Sequence, residues 1–309
     1  MNRARFNRSR RAASGFILVA VLWIIAALAT LASIYSIYAV NTAAASHVAD
    51  DRLQAEASIR AGVELAAFQL LAAAEQARPT HGALEARVGR TKIAVRYRSE
   101  RARIDLNAAP KELLAGLFAA VGVGDSDAAD YADRIVGWRT KADPNADNVE
   151  ASAYKTAGLP YPPRQAPFND ELELSLVLGL PPDIAERILP DVTVFSGAPQ
   201  VDVVNADPEV LAALPGMTPD ILQKVLAARA ANPEDGKGLM TLLGPARDSA
   251  SIEAGNAFRA GVLIDLGRGR RVQAELVFLL NGSGETPYEI LYWRDDFDGP
   301  FQSGMQGRT

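Results

Sequence analysis

One segment constrains this chain more than any other: the 25 residues from Phe16 to Val40 carry no charge and are almost all apolar. As a helix rising about 1.5 Å per residue the run is roughly 37 Å long, enough to cross a bilayer with some tilt. Ahead of it Arg3, Arg5, Arg8, Arg10 and Arg11 form a basic head without an acidic residue, and Ala12, Ala13 and Ser14 lead to Gly15. An ordinary secretory signal has a shorter apolar core. The next formal charge after Arg11 is Asp50, so the positive-inside rule puts the head in the cytoplasm and everything after about residue 45 across the membrane. Of the 32 Lys and Arg, five lie in the head; the rest face 37 acidic residues. The exported part therefore has a net charge near −10, which disfavours phosphate backbones and anionic lipid surfaces. With no cysteine, disulfides, thiolate metal sites and cysteine nucleophiles are excluded.

The helix is expected to continue beyond the membrane. From Asp50 to Ala77 there is no proline, and only Gly62 interrupts a run of Ala, Leu, Glu, Gln and Arg. Leu53, Ala57, Ala61, Leu65, Phe68 and Ala72 recur at spacings of four or three, an apolar stripe predicted to bury Leu65 and Phe68. Pro79 ends the run and Gly82 confirms the break. Either one helix reaches from Phe16 to Ala77, roughly 90 Å, or a membrane helix is followed by a separate short one. Thr91 to Tyr97 and Ala102 to Leu106 alternate apolar and polar residues, as do Arg271 to Leu280 and Tyr288 to Arg294. Antiparallel strands buried on one face read this way. About 150 residues of helical composition separate the two strand groups, so the sheet is predicted to be completed around an inserted helical body.

That body contains a repeat. Asn107-Ala108-Ala109-Pro110 with Leu113 returns 98 residues later as Asn205-Ala206-Asp207-Pro208 with Leu211. Asn is predicted to cap each helix, with Pro in its first turn. Helix, glycine turn and helix follow each copy, through Gly122-Val123-Gly124 and Pro215-Gly216-Met217, the latter with Thr218 as the next cap; Gly179 marks a third such turn. These are helix–hairpin–helix patterns, units that often bind DNA. Here Asp125, Asp127, Asp130 and Asp133 follow the first turn and Asp220 the second, and carboxylates repel a phosphate. Packing for protein contacts is the favoured reading.

Catalytic constellations are absent from the sequence. His47, next to the membrane, and His81, expected in a loop, are the only histidines, and no Gly-x-Ser-x-Gly elbow, P-loop or His-Glu-x-x-His occurs; the chain is not expected to be an enzyme. The one site-like stretch is the proline-rich loop from Trp138 to Asp170. Asp143, Asp147 and Glu150 are its candidate calcium ligands, because calcium gathers six to eight oxygens. A solvated acidic loop is the alternative.

Several motifs together resemble one family. Gly15-Phe16 resembles the processing site of type IV pilin-like proteins, where a basic leader is cut off before the apolar helix; a plain N-terminal anchor is the alternative. Ile104-Asp105-Leu106-Asn107-Ala108-Ala109-Pro110, Trp138-Arg139, Glu171-Leu172, Val177-Leu178-Gly179-Leu180, Val203-Val204-Asn205-Ala206 and Leu291-Tyr292-Trp293-Arg294 continue the likeness along nearly the whole chain. The chain thus resembles the type II secretion minor pseudopilin K family, GspK. The resemblance implies an α+β fold: a long N-terminal pilin helix, membrane-spanning in its first half, on an antiparallel sheet with a large inserted helical domain of helix–hairpin–helix (SAM-like) units. The expected division is a leader over 1–15, a transmembrane helix over 16–40, and helix continuation with first strands over 41–106. An inserted domain then covers 107–200, a second helix–hairpin–helix segment 201–257, and C-terminal strands and tail 258–309.

It further implies cleavage by the prepilin peptidase between Gly15 and Phe16. Minor pseudopilins I and J and the inner-membrane secretion platform are the implied partners, with no nucleic acid among them and a place at the pseudopilus tip. Some relatives bind calcium in the insertion. Most pilins carry glutamate at the fifth mature position, where this chain has Ala20. A buried carboxylate in a membrane helix is costly without a partner, and a tip subunit has none above it to neutralise. The alternative function is a membrane-anchored helix–hairpin–helix DNA receptor, which the acidic exported part disfavours.

Overall fold

A computed structural model describes residues 10–145, 147–233, 235–267, 269–282 and 286–297. The basic head before Arg10 and the tail after Phe297 lie outside the described residues. The chain divides into two compact units, Met1–Glu56 and Ala57–Thr309. The first element, α1, is one helix over Arg10–Leu71, so the two-helix alternative does not hold. Within the first unit its Phe16–Thr42 segment is long and apolar enough to cross a membrane, and none of it is buried by protein. The hydroxyls of Thr30 and Ser33 donate to the carbonyls of Ala26 and Ala29 at 2.8 and 2.9 Å. Such back-bonding satisfies polar groups where lipid offers no partner.

In the second unit the last turns of α1 lie on a five-stranded antiparallel sheet ordered β1-β2-β7-β8-β9. Its strands are β1 (His81–Val88), β2 (Thr91–Ser99), β7 (Ala257–Gly267), β8 (Arg270–Leu280) and β9 (Tyr288–Asp295). Ile59, Val63, Ala66, Ala67 and Leu70 of α1 are buried against Ile93, Val95, Tyr97, Phe258, Val262, Ile264, Leu276 and Phe278. Gly62 allows the close approach: a Cβ there would meet methyl carbons of Ile93 and Val95 at 2.9 Å. The predicted stripe is not the buried one. Leu65 is 43% and Phe68 72% exposed, about a third of a turn round the helix from Ala66 and Ala67. Alanines make both faces apolar, and what selects the buried face is the fit of β-branched Ile59 and Val63 with Gly62 onto the pleated sheet.

Between β2 and β7 the chain builds a helical body with its own core. Its elements are β3 (Ile104–Asp105), α2 (Lys111–Ala120), α3 (Asp125–Arg139), α4 (Val149–Thr156), α5 (Pro182–Ile188) and β4 (Val192–Thr193). They are followed by β5 (Val201–Asp202), α6 (Pro208–Ala212), α7 (Pro219–Ala231), α8 (Gly236–Leu242) and β6 (Ala250–Ser251). The two halves repeat a plan, since β3 pairs in parallel with β4 and β5 with β6. They meet where α2 crosses α6: a Cβ on Gly116 would fall 2.0 Å from the Ala213 carbonyl oxygen. Leu113, Leu114, Leu117, Phe118, Ile135, Trp138, Val210 and Leu211 form the centre of this core. The turn glycines Gly122, Gly179 and Gly216 all have positive φ, 89°, 78° and 82°, a conformation glycine adopts without strain.

Four local expectations change. The Ala102–Leu106 run is a 3-10 turn at Glu100–Ala102 followed by the two-residue β3, which pairs in parallel with β4 and not with the main sheet. The loop after Trp138 contains α4, capped by the Asn148 side chain accepting from the Ala151 N–H at 2.9 Å; Tyr154 of α4 is buried beside Trp138 and Tyr161. His81, placed in a loop by the sequence, opens β1. The repeated asparagines do not cap helices, because Pro110 and Asp207 occupy the capping positions. Asn107 instead bonds the Phe168 backbone in both directions, at 3.0 and 2.7 Å, while Asn205 donates to Asp202 Oδ2 and Thr80 Oγ1. Thr218 does cap α7, accepting from the Ile221 N–H.

Candidate partner-binding surface and the polar seam

A cluster of buried charges joins the sheet to the helical body. Arg259 of β7 projects from the sheet face opposite α1 and is ion-paired to Glu100 at 2.7 Å, to Glu275 of β8 at 2.6 Å and to Glu171 at 3.3 Å. Its guanidinium lies over the Tyr292 ring, 5.8 Å from the centroid. Glu100 also accepts from the Thr193 hydroxyl of β4, so one cluster ties β7, β8 and β9 to both ends of the first half-repeat. Burial pushes the Glu100 carboxyl up, but the charges of Arg259 and Arg103 outweigh it and hold the group down at about 2. Burial also pushes Glu171 up, with Arg259 offsetting only part of the rise. At a second seam Arg98 of β2 pairs with Asp207 at 3.3 Å and reaches the Asn205 carbonyl. Within the body, Arg139 clamps the first turn through the carbonyls of Leu106 and Ala109, and Arg229 clamps the second through that of Ala206. Trp138-Arg139 was legible as a motif; its role as a clamp was not.

The surface this frame leaves open is the second face of α1. Leu65 and Phe68 project from it into solvent, flanked by exposed Glu64 and Gln69. On the neighbouring face Arg60 stacks over Trp293 of β9 at 5.7 Å. Leu65 and Phe68 are exposed large side chains on a helix already seated on its sheet, and such a face is suited to another chain.

The residues singled out from sequence are placed as follows. Gly15 and Phe16 are helical within α1, and the Phe16 ring is exposed. Asp143 and Asp147 are exposed, and Asp143 Oδ1 accepts from the Asn145 N–H at 2.9 Å. Glu150 lies against Gly137 and is ion-paired to Arg134 at 2.9 Å. The structure does not bring these three carboxylates together, and among the described residues no group of three or more His, Asp or Glu is arranged to hold a metal.

Residues 94–197 match the family described as Type II secretion system (T2SS), protein K. No curated protein matches the chain. Among solved structures, a chain of the GspK-GspI-GspJ complex from the enterotoxigenic Escherichia coli Type 2 Secretion System superposes with a TM-score of 0.53. The two are 15% identical, over 78% of this chain and 94% of that one. The family match spans most of β2, the first half-repeat and the Glu100 and Thr193 arms of the seam, and it covers the Ile104–Pro110, Trp138-Arg139, Glu171-Leu172 and Val177–Leu180 motifs. The chain is therefore similar over residues 94–197 to protein K of type II secretion systems, and its fold is similar to that of a chain in the solved GspK-GspI-GspJ complex.

Proposed function

We propose that this protein is the minor pseudopilin K of a type II secretion system: a single-pass inner-membrane subunit with a cytoplasmic N-terminus and a periplasmic globular unit. In this reading it stands at the tip of the pseudopilus with minor pseudopilins I and J, and supports export of folded proteins as a structural part, not as an enzyme. The observation that carries the reading is the two-faced α1, which buries Ile59, Val63 and Leu70 on its own sheet and leaves Leu65 and Phe68 exposed. A pilin-type subunit needs both faces, one for its own core and one for its neighbours. Ala20 supports the tip position, since a subunit with nothing above it has no amine to neutralise. Gly15-Phe16 supports processing by the prepilin peptidase, and the mature chain is expected to begin at Phe16; Gly15→Leu should leave the leader attached.

The absence of cysteine makes the test direct. A full-length Phe68→Cys chain carries one thiol, and in membranes that hold the other minor pseudopilins it should cross-link to I or J. An equally exposed Lys92→Cys on the far face of the sheet should not. Cross-linking of Lys92→Cys alone, with Phe68→Cys silent, would reject this face as the assembly surface.

A further inference from the structure

The five-stranded sheet has two edges, and they are not alike. β9 is bulged: Val277 pairs with Tyr292 and Phe278 with Ile290, which leaves Leu291 unpaired. It also carries Glu289, Arg294 and Asp295. Bulges and charge are the usual protection of an edge strand against further pairing. β1 pairs with β2 over all of its 8 residues without a register shift and contains no proline. Among the described residues no strand or backbone hydrogen bond occupies its other side. The Ser99 N–H donates to the Thr80 carbonyl at 2.7 Å just before β1, and antiparallel pairs alternate between bonded and non-bonded. Gly82, Leu84 and Ala86 therefore bond β2, while His81, Ala83, Glu85 and Arg87 present their N–H and C=O groups outward.

The side chains along that free ladder have a pattern of their own. Leu84 and Ala86 are partly buried against the core under α1, and Val88 at the tip is 55% exposed. On the opposite face Glu85 and Arg87 are exposed and form no ion pair with a described residue. Arg87 stands opposite Lys92 of β2, a like-charge pair that weakens a sheet. An acidic residue opposite Arg87 on a further strand would relieve it, and a basic residue at the next same-face position would meet Glu85. The ladder also adjoins the assembly face. Gly62 lies over Ile93 and Val95, the β2 partners of Ala86 and Leu84. Arg60 marks the flank of α1 toward β9, where it stacks over Trp293. At about 3.6 residues per turn Leu65 falls on the other flank, toward β1.

We infer that an extended segment of a neighbouring minor pseudopilin adds to β1 as a further strand. Its backbone would bond Ala83, Glu85 and Arg87, with an acidic side chain beside Arg87 and apolar ones beside Leu84 and Val88. Strand addition of this kind takes its affinity from main-chain bonds and its specificity from alternate side chains. The inference deepens the reading of α1 as an assembly face and rests on it: a neighbour seated on Leu65 and Phe68 is the chain brought alongside β1. A second copy would match the charges in one register, Ala86 opposite itself with Glu85 opposite Arg87, and the test separates the two. Lys92 lies roughly 10 Å from the incoming strand, two strand spacings away, so Lys92→Cys remains a silent control.

The test uses the full chain in mild detergent, alone and with minor pseudopilins I and J of its own system, read by residue-resolved hydrogen–deuterium exchange. Alone, the amides of Ala83, Glu85 and Arg87 should exchange fast and those of Leu84 and Ala86 slowly; in the complex all of them should be slow. Ala83→Pro removes one outward donor and no bond to β2, a place where an edge strand tolerates proline. It should weaken binding of the neighbour by about tenfold with the melting curve unchanged. Arg87→Glu alters no backbone group and should weaken binding about severalfold. Full binding by both variants overturns the proposal. Outward amides that stay fast in a complex that still cross-links through Phe68→Cys overturn the added strand and leave the assembly face standing. No complex at all, with Phe68→Cys silent, overturns both. Outward amides protected in the chain alone, with Ala86→Cys forming a disulfide-linked dimer, give the edge to a second copy and also overturn the proposal.

Discussion

Arg259 sets the energetics of the seam. Four charged residues share one site there, and Glu100 and Arg259 are 1% and 7% exposed at their side chains. A buried pair contributes little net stability, yet removing one partner leaves an uncompensated charge and costs about 3–5 kcal/mol. Arg259→Met should therefore destabilise the chain by about that amount in urea unfolding, and Arg259→Met/Glu100→Leu should recover only part of it, because Glu275 and Glu171 still lose their shared cation. The pH dependence follows from the same residue. Glu100 is held at about 2, against an ordinary 4.5. A depressed carboxyl contributes stability that is complete above the unfolded value and is lost as pH falls through the folded one. The loss runs from about pH 4.5 to about pH 2 and is on the order of 3 kcal/mol. Glu171 acts in the opposite sense, because its raised pKa makes its protonation favour the folded state and blunts the slope. Comparing unfolding free energies at pH 5 and pH 3, the wild type should lose more stability than Glu100→Gln; parallel losses would remove Glu100 from the acid response.

At the scale of elements, α1 offers two apolar faces with different fates. Ile59→Ala and Leu70→Ala empty a packed core and should each cost about 2–5 kcal/mol. Phe68→Ala removes an exposed ring and should change stability by less than about 0.5 kcal/mol; thermal melting of the three variants separates the faces. Gly116 gives a third prediction. A side chain there strikes the Ala213 backbone, so Gly116→Val should destabilise the junction of the half-repeats by more than the roughly 1 kcal/mol typical of a point mutation.

The same elements show what sequence could and could not supply. The long helix, the C-terminal strands and the glycine turns were legible because apolar periodicity and glycine act locally. The buried face of α1 was not, since an alanine-rich helix presents apolar spacing on more than one side and only the sheet chooses between them. The asparagines of the repeat announced the turns, yet their partners, Phe168 and Thr80, lie far away along the chain. β1 was hidden because His81-Gly82-Ala83 has little strand preference and owes its place to pairing with β2. The Arg259 seam joins residues 100, 171, 259 and 275, which no local pattern relates.

For the whole molecule, the separation of two cores by a polar seam fits a subunit that carries a large helical body on a pilin-like frame. The account stands or falls on assembly. The most direct measurement is co-purification of the full chain, in mild detergent, with the minor pseudopilins I and J of its own system, followed by native mass spectrometry. The account predicts one complex containing all three chains, which Phe68→Glu disrupts while the melting temperature of the isolated protein is unchanged. A chain that remains alone with both partners present and folded, or a complex indifferent to Phe68→Glu and to Leu65→Glu, would contradict it.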